Sequence, residues 1–557
     1  MNRKYLPTTL LLILFLIFWA VSLRHLTAVP PVYEDEPWQA STGWKLATDG
    51  VFGSDLFAGY YGMEHHYYGY LPVHPFLLAA VFKLAGLGLF QARFEPVALG
   101  LLVLALTYGV GKRLFRPSVG LLAVFLLLFT RTSALTPSQY TGIVLVDFAR
   151  IARYDIAVPA FALFAFLLYT FYEKKPHAKT PGRQDQKNES PITNHQSLFT
   201  FYFLLFTPYA LIGLFTALAS LSHLYGLFWF VAFFLLLLWH RVQRRQLAAF
   251  VVGFSLPWII YLMYVLPGWP DWVGQTQDYA PRFALLNPGW YWQNIRNEVQ
   301  RYGAGLGVGS WFRPGFWTAA VVVPLSLIAL GRQALRGNKA AQTLVVPGVL
   351  LPLLFALFIY LKLTNYMATL APLFALVMAW GMMKLWKAGA DASRHWYRWR
   401  IGCFSLTQLL VICLLLLIGV EGVSRFIHLE RAAATTTPYA DYSAAIQSHI
   451  PQDGRILALH NYWFNFEDWD YRSWFVPILQ SNPDYWHPPL SLEAALDGVD
   501  PTIILIDRRM RQLFEADPET AEAVFDWMTA NGFEQTAAVE DATYGRMDIY
   551  LRTDEQQ

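Results

Sequence analysis

Eleven long apolar stretches divide this chain, and any fold must accommodate them first. They run Leu6–Leu26, Glu95–Gly111, Val119–Pro137, Ile156–Tyr172, Phe199–Leu221, Tyr225–His240, Leu247–Leu266, Gly315–Leu330, Thr343–Leu361, Tyr366–Leu385 and Gly402–Val423. The hydrocarbon core of a bilayer is about 30 Å thick and takes about 20 apolar residues of helix to cross. Backbone polar groups in lipid must be satisfied within the segment, so isolated stretches like these read as helices. With 55% of 557 residues hydrophobic and 15% charged, the expected class is an α-helical polytopic membrane protein of about eleven spans. The first stretch follows a basic start, as a signal peptide does. Its apolar core is long enough to span, however, and "TAVPP" is a poor cleavage site. It reads as a retained helix with Met1–Lys4 inside.

Charge sets the expected orientation. The loops "GKRLFRPS", "YEKKPHAKTPGRQDQKNES", "HRVQRRQ", "GRQALRGNK" and "KLWKAGADASRHWYRWR" alternate with loops that carry acids and aromatics. Lys- and Arg-rich loops stay cytoplasmic. An odd number of spans from an inside N-terminus then places Glu34–Glu36 and the chain end outside, in the cell inner (plasma) membrane.

Residues 1–425 are expected to form the transmembrane domain, with two long outer loops, 29–94 and 267–314. Within the first, "HPFLLAAVFKLAGLG" is short for a span and carries Lys83, so it reads as an interfacial helix, with a re-entrant segment as the rival. Lys174–Ser197 is a polar inner loop. The tail 431–557 has ordinary globular composition. "GRILALH", "PTIILIDRR" and "YGRMDIYLR" read as strands, and "DPETAEAVFDWMTANGF" as a capped helix. It is expected to be a small extracytoplasmic α/β domain.

Several function classes fall away. A net charge of +3, with no basic stretch interleaved with aromatics, argues against nucleic-acid binding. Cys403 and Cys413 share one apolar segment, which suits neither a disulfide framework nor a cysteine metal site. Glu64, His65, His66 and His74 match no closed zinc pattern. No metal site is assigned and no cofactor is required, although the acids leave room for a divalent cation.

The acids carry the chemistry. Glu34, Asp35 and Glu36 follow the first span, and Asp155 stands at the outer mouth of the fourth, with Arg153 beside it, Arg150 upstream and Asp147 further back. A carboxylate at the entry to an apolar helix is costly unless paired or functional. Two carboxylates reaching one outer cavity from different segments suit glycosyl chemistry, one taking a proton and the other orienting it or binding a cation. A structural ion pair of Asp155 with Arg150 or Arg153 remains open. Cations near the outer surface would stabilise charge developing on a sugar-phosphate leaving group. The candidates are Lys362, Arg282, Arg296 and Arg301, with Arg131 as another outer-half cation.

"YEDEPWQASTGWKLATDGVF", "FKLAGLGLFQARFEPVALGLLVLALTYGVGKRLF" and "RYDIAVPAFALFAF" resemble, in order and spacing over Leu6–Leu385, the GT-C-type membrane glycosyltransferases. The nearest branch holds the protein O-mannosyltransferases and lipid A aminoarabinose transferases. The resemblance implies that Asp35 and Glu36 stand at the family's acidic pair, one acting as general base on the acceptor. It implies that "VHPF" is the step of a basic residue and Pro, with Phe76 replacing a second Pro. It also implies that Lys362 and Tyr366 face the lipid-phosphate leaving group, that the donor is a polyprenyl-phosphate sugar, and that transfer occurs on the outer face.

The expected function is inverting hexosyl or pentosyl transfer from that donor to a lipid, glycan or protein acceptor. Asp35, Glu36 and Asp155 are the catalytic candidates. Glu34, His74, Arg150, Arg153, Arg282, Arg296, Arg301, Lys362 and Tyr366 are the substrate-binding set, and membrane lipids are the surroundings. A transporter or flippase for a lipid-linked sugar, or a non-catalytic assembly partner, are the alternatives.

Overall fold

The computed structural model describes residues 6–132, 139–173, 208–303, 313–395, 400–401 and 404–553. The inner loop Lys174–Ser197, Cys403, and parts of the third, fifth and eleventh stretches lie outside them.

Every predicted stretch carries a helix among the described residues. They are α1 (Leu6–Leu23), α4 (Leu89–Leu114), α5 (Pro117–Phe129), α7 (Ala157–Glu173), α8 (Pro208–Ser222), α9 (Leu227–Trp239), α10 (Arg244–Val265), α13 (Pro314–Leu335), α14 (Lys339–Phe358), α15 (Met367–His395) and α16 (Leu406–Ala433). Among the described residues seven helices are long and apolar enough to cross a bilayer, and the protein is a multi-pass membrane protein. α4 starts before the expected Glu95 because Leu89–Phe94 continue the helix through Pro96. α15 lies at the centre of the bundle, with most of its apolar length buried, packed on α5, α13, α14 and α16. α4 and α5 close on each other through glycines, for a Cβ on Gly111 would stand 2.7 Å from Gly120 Cα.

The two long loops, 29–94 and 267–314, are largely helical among the described residues. The acids Asp35 and Glu36 open α2 (Asp35–Thr48), which packs on α3 (Val73–Ala85). At 13 residues and about 1.5 Å per residue, α3 is too short to span. The short α6 (Val144–Phe148) precedes the Arg150–Asp155 stretch. The second loop forms α11 (Trp269–Thr276) and α12 (Pro288–Gly303), joined to the first where His66 meets Asp271 at 2.7 Å.

A two-residue antiparallel pair, β1 (Arg400–Ile401) and β2 (Phe404–Ser405), precedes α16. The tail then forms α17 (Tyr439–Gln447), β3 (Arg455–Ala458), β4 (Asp470–Ser473), α18 (Phe475–Ser481), α19 (Leu492–Val499), β5 (Ile503–Ile506), α20 (Arg508–Ala516), α21 (Pro518–Ala530), β6 (Phe533–Asp541) and β7 (Gly545–Arg552). The sheet order is β4-β3-β5-β7-β6, parallel across β4, β3 and β5 and antiparallel beyond. The three expected strands and the helix capped by Asp517 are present. The exposed strand β6 and the short β4 escaped the pattern. The core of this domain is continuous with the first outer loop, with Leu56, Phe57, Tyr60 and Tyr67 in one cluster with Ile456, Trp474 and Ile504.

Two buried arginines hold the chain between α1 and α2. Arg93 of α4 grips Glu36 through Nε (2.8 Å) and Nη2 (2.7 Å), and donates to the carbonyls of Leu26, Pro30 and Pro31. Glu36 also accepts the backbone N–H groups of Tyr33 and Ala152. Arg150 donates to four carbonyls, those of Val21, Ser22, His25 and Val29. The first two belong to the last turn of α1, where a cation offsets the negative end of the helix.

Removing one member of a buried pair strands the other and costs about 3–5 kcal/mol. Glu36→Gln and Arg93→Met should each lower the unfolding midpoint of the detergent-purified protein. The double variant Glu36→Leu/Arg93→Met should lose less than the sum of the two. Strictly additive losses would show that the two side chains are uncoupled.

Candidate functional site

The start of α2 presents Asp35 toward the turn that precedes α7. Its Oδ2 lies 2.9 Å from Arg153 Nη1, and its Oδ1 accepts a hydrogen bond from the Tyr70 hydroxyl at 3.1 Å. Arg153 Nε lies 3.0 Å from Asp155 Oδ2, so one guanidinium bridges the two carboxylates. Its planar fork suits that task, with donors in fixed directions. Tyr33 and Tyr154 flank the guanidinium at 5.1 and 5.2 Å, and Arg153 Nη2 donates to the Tyr154 hydroxyl. Asp35 keeps 22% of its side chain exposed, whereas Asp155 has none. Burial pushes the Asp155 carboxyl above the usual range. Arg153 opposes that shift, and the neighbouring Asp35 adds to it.

An aromatic wall leads away from this triad. The Tyr225 hydroxyl reaches Asp155 at 3.4 Å, and the Tyr225 ring stands 5.2 Å from Tyr366. His223 sits between Tyr154 (4.5 Å) and Tyr225 (4.1 Å). Burial, with Arg153 and Arg282 nearby, pushes its imidazole down to about 3, so it is neutral at physiological pH.

The far end of the wall is basic. Arg301 lies over Tyr366 and Phe355. Glu298 shares its carboxylate between Arg301 Nε (2.8 Å) and Lys362 Nζ (2.9 Å). Lys362 also donates to the Ala356 carbonyl. Burial lowers its affinity for a proton, and Glu298 restores part of it. Arg282, beside Tyr279, acts electrostatically on both His223 and Tyr366. The site is therefore polarised. Asp35, Arg153 and Asp155 sum to one negative charge. Glu298, Arg301 and Lys362 sum to one positive charge, with Arg282 adding to it.

The structure brings Asp35, Asp155, Arg153, Arg282, Arg301, Lys362 and Tyr366 into this one arrangement and assigns the other candidates elsewhere. Glu36 is saturated by Arg93 and two backbone amides, which leaves nothing to face a substrate. Arg150 points at carbonyls, not at Asp155. Glu34 pairs with Arg509 of the tail domain. His74 is fully buried, 3.4 Å from Glu95. Arg296 is exposed on α12, away from Lys362. Asp147 accepts hydrogen bonds from the Thr141 backbone and hydroxyl and from the Gly142 amide, which holds a turn. Among the described residues no group of three or more His, Cys, Asp or Glu could hold a metal ion.

Sequence reading missed Glu298, His223 and Tyr225. The i,i+3 spacing of Glu298 and Arg301 was a usable signal. So was a histidine in the short "SHLYG" turn between two apolar helices.

No family model matches the chain, and no curated protein matches it. Solved structures do. ArnT from Cupriavidus metallidurans, bound to undecaprenyl phosphate, is 14% identical with a TM-score of 0.54, over 99% of this chain and 98% of that one. The Archaeoglobus fulgidus oligosaccharyltransferase in its apo form is 12% identical with a TM-score of 0.54, over 91% and 70%. The same protein, AglB, with an inhibitory peptide and a dolichol-phosphate is 12% identical with a TM-score of 0.51, over 100% and 75%. At these identities the likeness shows the fold, and the chain has the GT-C glycosyltransferase fold with a small C-terminal sheet domain.

Proposed function

We propose that the protein is a glycosyltransferase that moves a sugar from a polyprenyl-phosphate carrier to an acceptor at the outer face of the cell's plasma membrane. The observation that carries this reading is the polarised site, with a carboxylate pole and a cation pole joined by an aromatic wall. Two of the solved structures that share the fold hold a polyprenyl phosphate, undecaprenyl in one and dolichol in the other.

In this reading Asp35, the partly exposed carboxylate, accepts the proton of the acceptor's attacking group. The bond from that group to the sugar's anomeric carbon forms as the bond from that carbon to phosphate oxygen breaks. The electron pair leaves with the polyprenyl phosphate, and one displacement inverts the centre. Lys362, Arg301 and Arg282 set a positive field for the charge that grows on the leaving phosphate, where preorganised cations act most strongly. Asp155 has no exposed surface and works through Arg153, as a positioning residue that holds Asp35 toward the cavity. Tyr366 and Tyr225, both buried, pack between the poles and fix their spacing.

Three outcomes are expected. Asp35→Asn keeps size and hydrogen bonding but removes the base. Transfer of radiolabelled sugar from a panel of polyprenyl-phosphate donors should fall roughly 10²-fold or more, with donor binding retained, while Asp155→Asn should fall less. No sugar transfer by the wild-type protein, with labelled donor merely moved across vesicles, would favour a transporter, and unchanged transfer in Asp35→Asn would remove Asp35 as the base.

Lys362→Ala should weaken both donor affinity and turnover. Lys362→Arg should restore them only in part, because a planar guanidinium does not replace a compact ammonium shared with Glu298. Wild-type constants in Lys362→Ala would remove the lysine from the phosphate pole.

The alternating basic loops give the third. A reporter active only outside the cytoplasm should work when fused after Gln557 and stay silent within Lys174–Ser197. Activity at the inner position would invert the topology and place the site on the cytoplasmic side.

A further inference from the structure

A second cluster of arginines lies outside the polarised site and shares no residue with it. Arg131 follows α5, Arg313 caps the start of α13, and Arg425 and Glu421 project from the outer half of α16. The three elements close tightly around Gly315. A Cβ there would stand 2.9 Å from Glu421 Oε2, 3.2 Å from Thr130 Cγ2 and 3.3 Å from the Arg131 backbone nitrogen. The Gly315 amide donates to Glu421 Oε2, and Phe129 packs on Phe426. Glu421 sits in the field of all three arginines.

Three guanidiniums thus face one carboxylate, and the cluster is under-bonded. Arg313 is fully buried, yet Nε, Nη1 and Nη2 have no hydrogen-bond partner among the described residues. Only the Phe316 ring lies against it, at 4.5 Å. Arg131 is 6% exposed, and its Nε is unpartnered, as are Arg425 Nε, Glu421 Oε1 and Thr130 Oγ1. Buried charges of one sign without partners are expensive.

Below the cluster, Trp317, Val321 and Leu325 of α13 and Leu416 and Val420 of α16 are exposed, as lipid-facing side chains would be. An anionic head above an apolar surface is the shape of a membrane lipid.

We propose that Arg131, Arg313 and Arg425 form an anion site that takes a phosphate group, presented by an anionic phospholipid whose chains lie along α13 and α16. Glu421 orders the site by holding the start of α13, and the arginines supply charge and forked donors for phosphate oxygens.

The test uses the purified full chain in neutral detergent. Phosphatidylglycerol, phosphatidylcholine and inorganic phosphate are added separately, and thermal unfolding and lipid retention by native mass spectrometry are read. Phosphatidylglycerol should raise the midpoint and stay bound, and phosphatidylcholine should do neither. Arg313→Gln should weaken retention about tenfold or more, the scale of one charge-assisted hydrogen bond to a phosphate. Arg425→Gln, at a half-buried position, serves if Arg313→Gln does not fold. Asp35→Asn should retain the lipid as wild type does, so this result stands or falls apart from glycosyl transfer. A midpoint rise with inorganic phosphate alone would support the phosphate site and make free phosphate its source. The proposal is overturned if no phosphate compound has an effect, or if both arginine variants respond as wild type does.

Discussion

The Glu36–Arg93 pair is the interaction on which the outer half of the molecule depends. Arg93 belongs to a helix of the bundle, Glu36 to the first turn of a helix outside it, and both are sealed from solvent. The geometry justifies the cost of burying two charges. The pairing is bidentate, and the remaining donors and acceptors are taken up by the carbonyls of the 26–31 connection and the amides of Tyr33 and Ala152. Because Ala152 belongs to the stretch that carries Arg153, one carboxylate fixes both the start of α2 and the backbone beside the bridging arginine. Asp35 and Arg153 meet because their neighbours are pinned to the same group.

This explains why adjacent acids have unlike surroundings. Successive helical residues point about 100° apart, so Asp35 and Glu36 cannot share a direction. One faces the bundle and is consumed in holding it. The other faces Arg153 and Tyr70 and keeps solvent access. Similarly, Arg150 and Arg153 lie three residues apart in a chain that is not helical. Arg150 turns to the end of α1, and Arg153 to the two carboxylates.

Much of the bundle was legible because the cost of burying backbone polar groups in lipid imposes a length and a composition on each crossing. The charged candidates Asp35, Asp155, Arg153 and Lys362 were legible for a related reason, since charges beside apolar runs are rare without purpose. What the sequence could not resolve was phase. Which of Glu34, Asp35 and Glu36 faces inward depends on where α2 begins. Which of Arg150 and Arg153 meets Asp155 depends on an irregular turn with no periodicity to read. Glu298 was hidden for another reason. In an amphipathic helix rich in Trp, Asn and Arg it reads as one more solvated charge, and its role emerges only when Lys362 arrives from a connection between two later helices. Strand β6, with polar residues along most of its length, carried too weak an alternation to register.

The shared core of the first loop and the tail domain has a consequence for biogenesis. Trp38 donates its indole N–H to His460, 422 residues away in sequence, and Arg472 reaches the Asp55 carbonyl across 417. The stretch carrying Asp35 therefore leaves the ribosome about 420 residues before the surface it rests on. The first loop must therefore wait, exposed, while the intervening helices are inserted. A chain truncated before its tail would hold most of its spans and still lack a finished outer face. The first loop and the tail domain thus settle together, late, on one shared core.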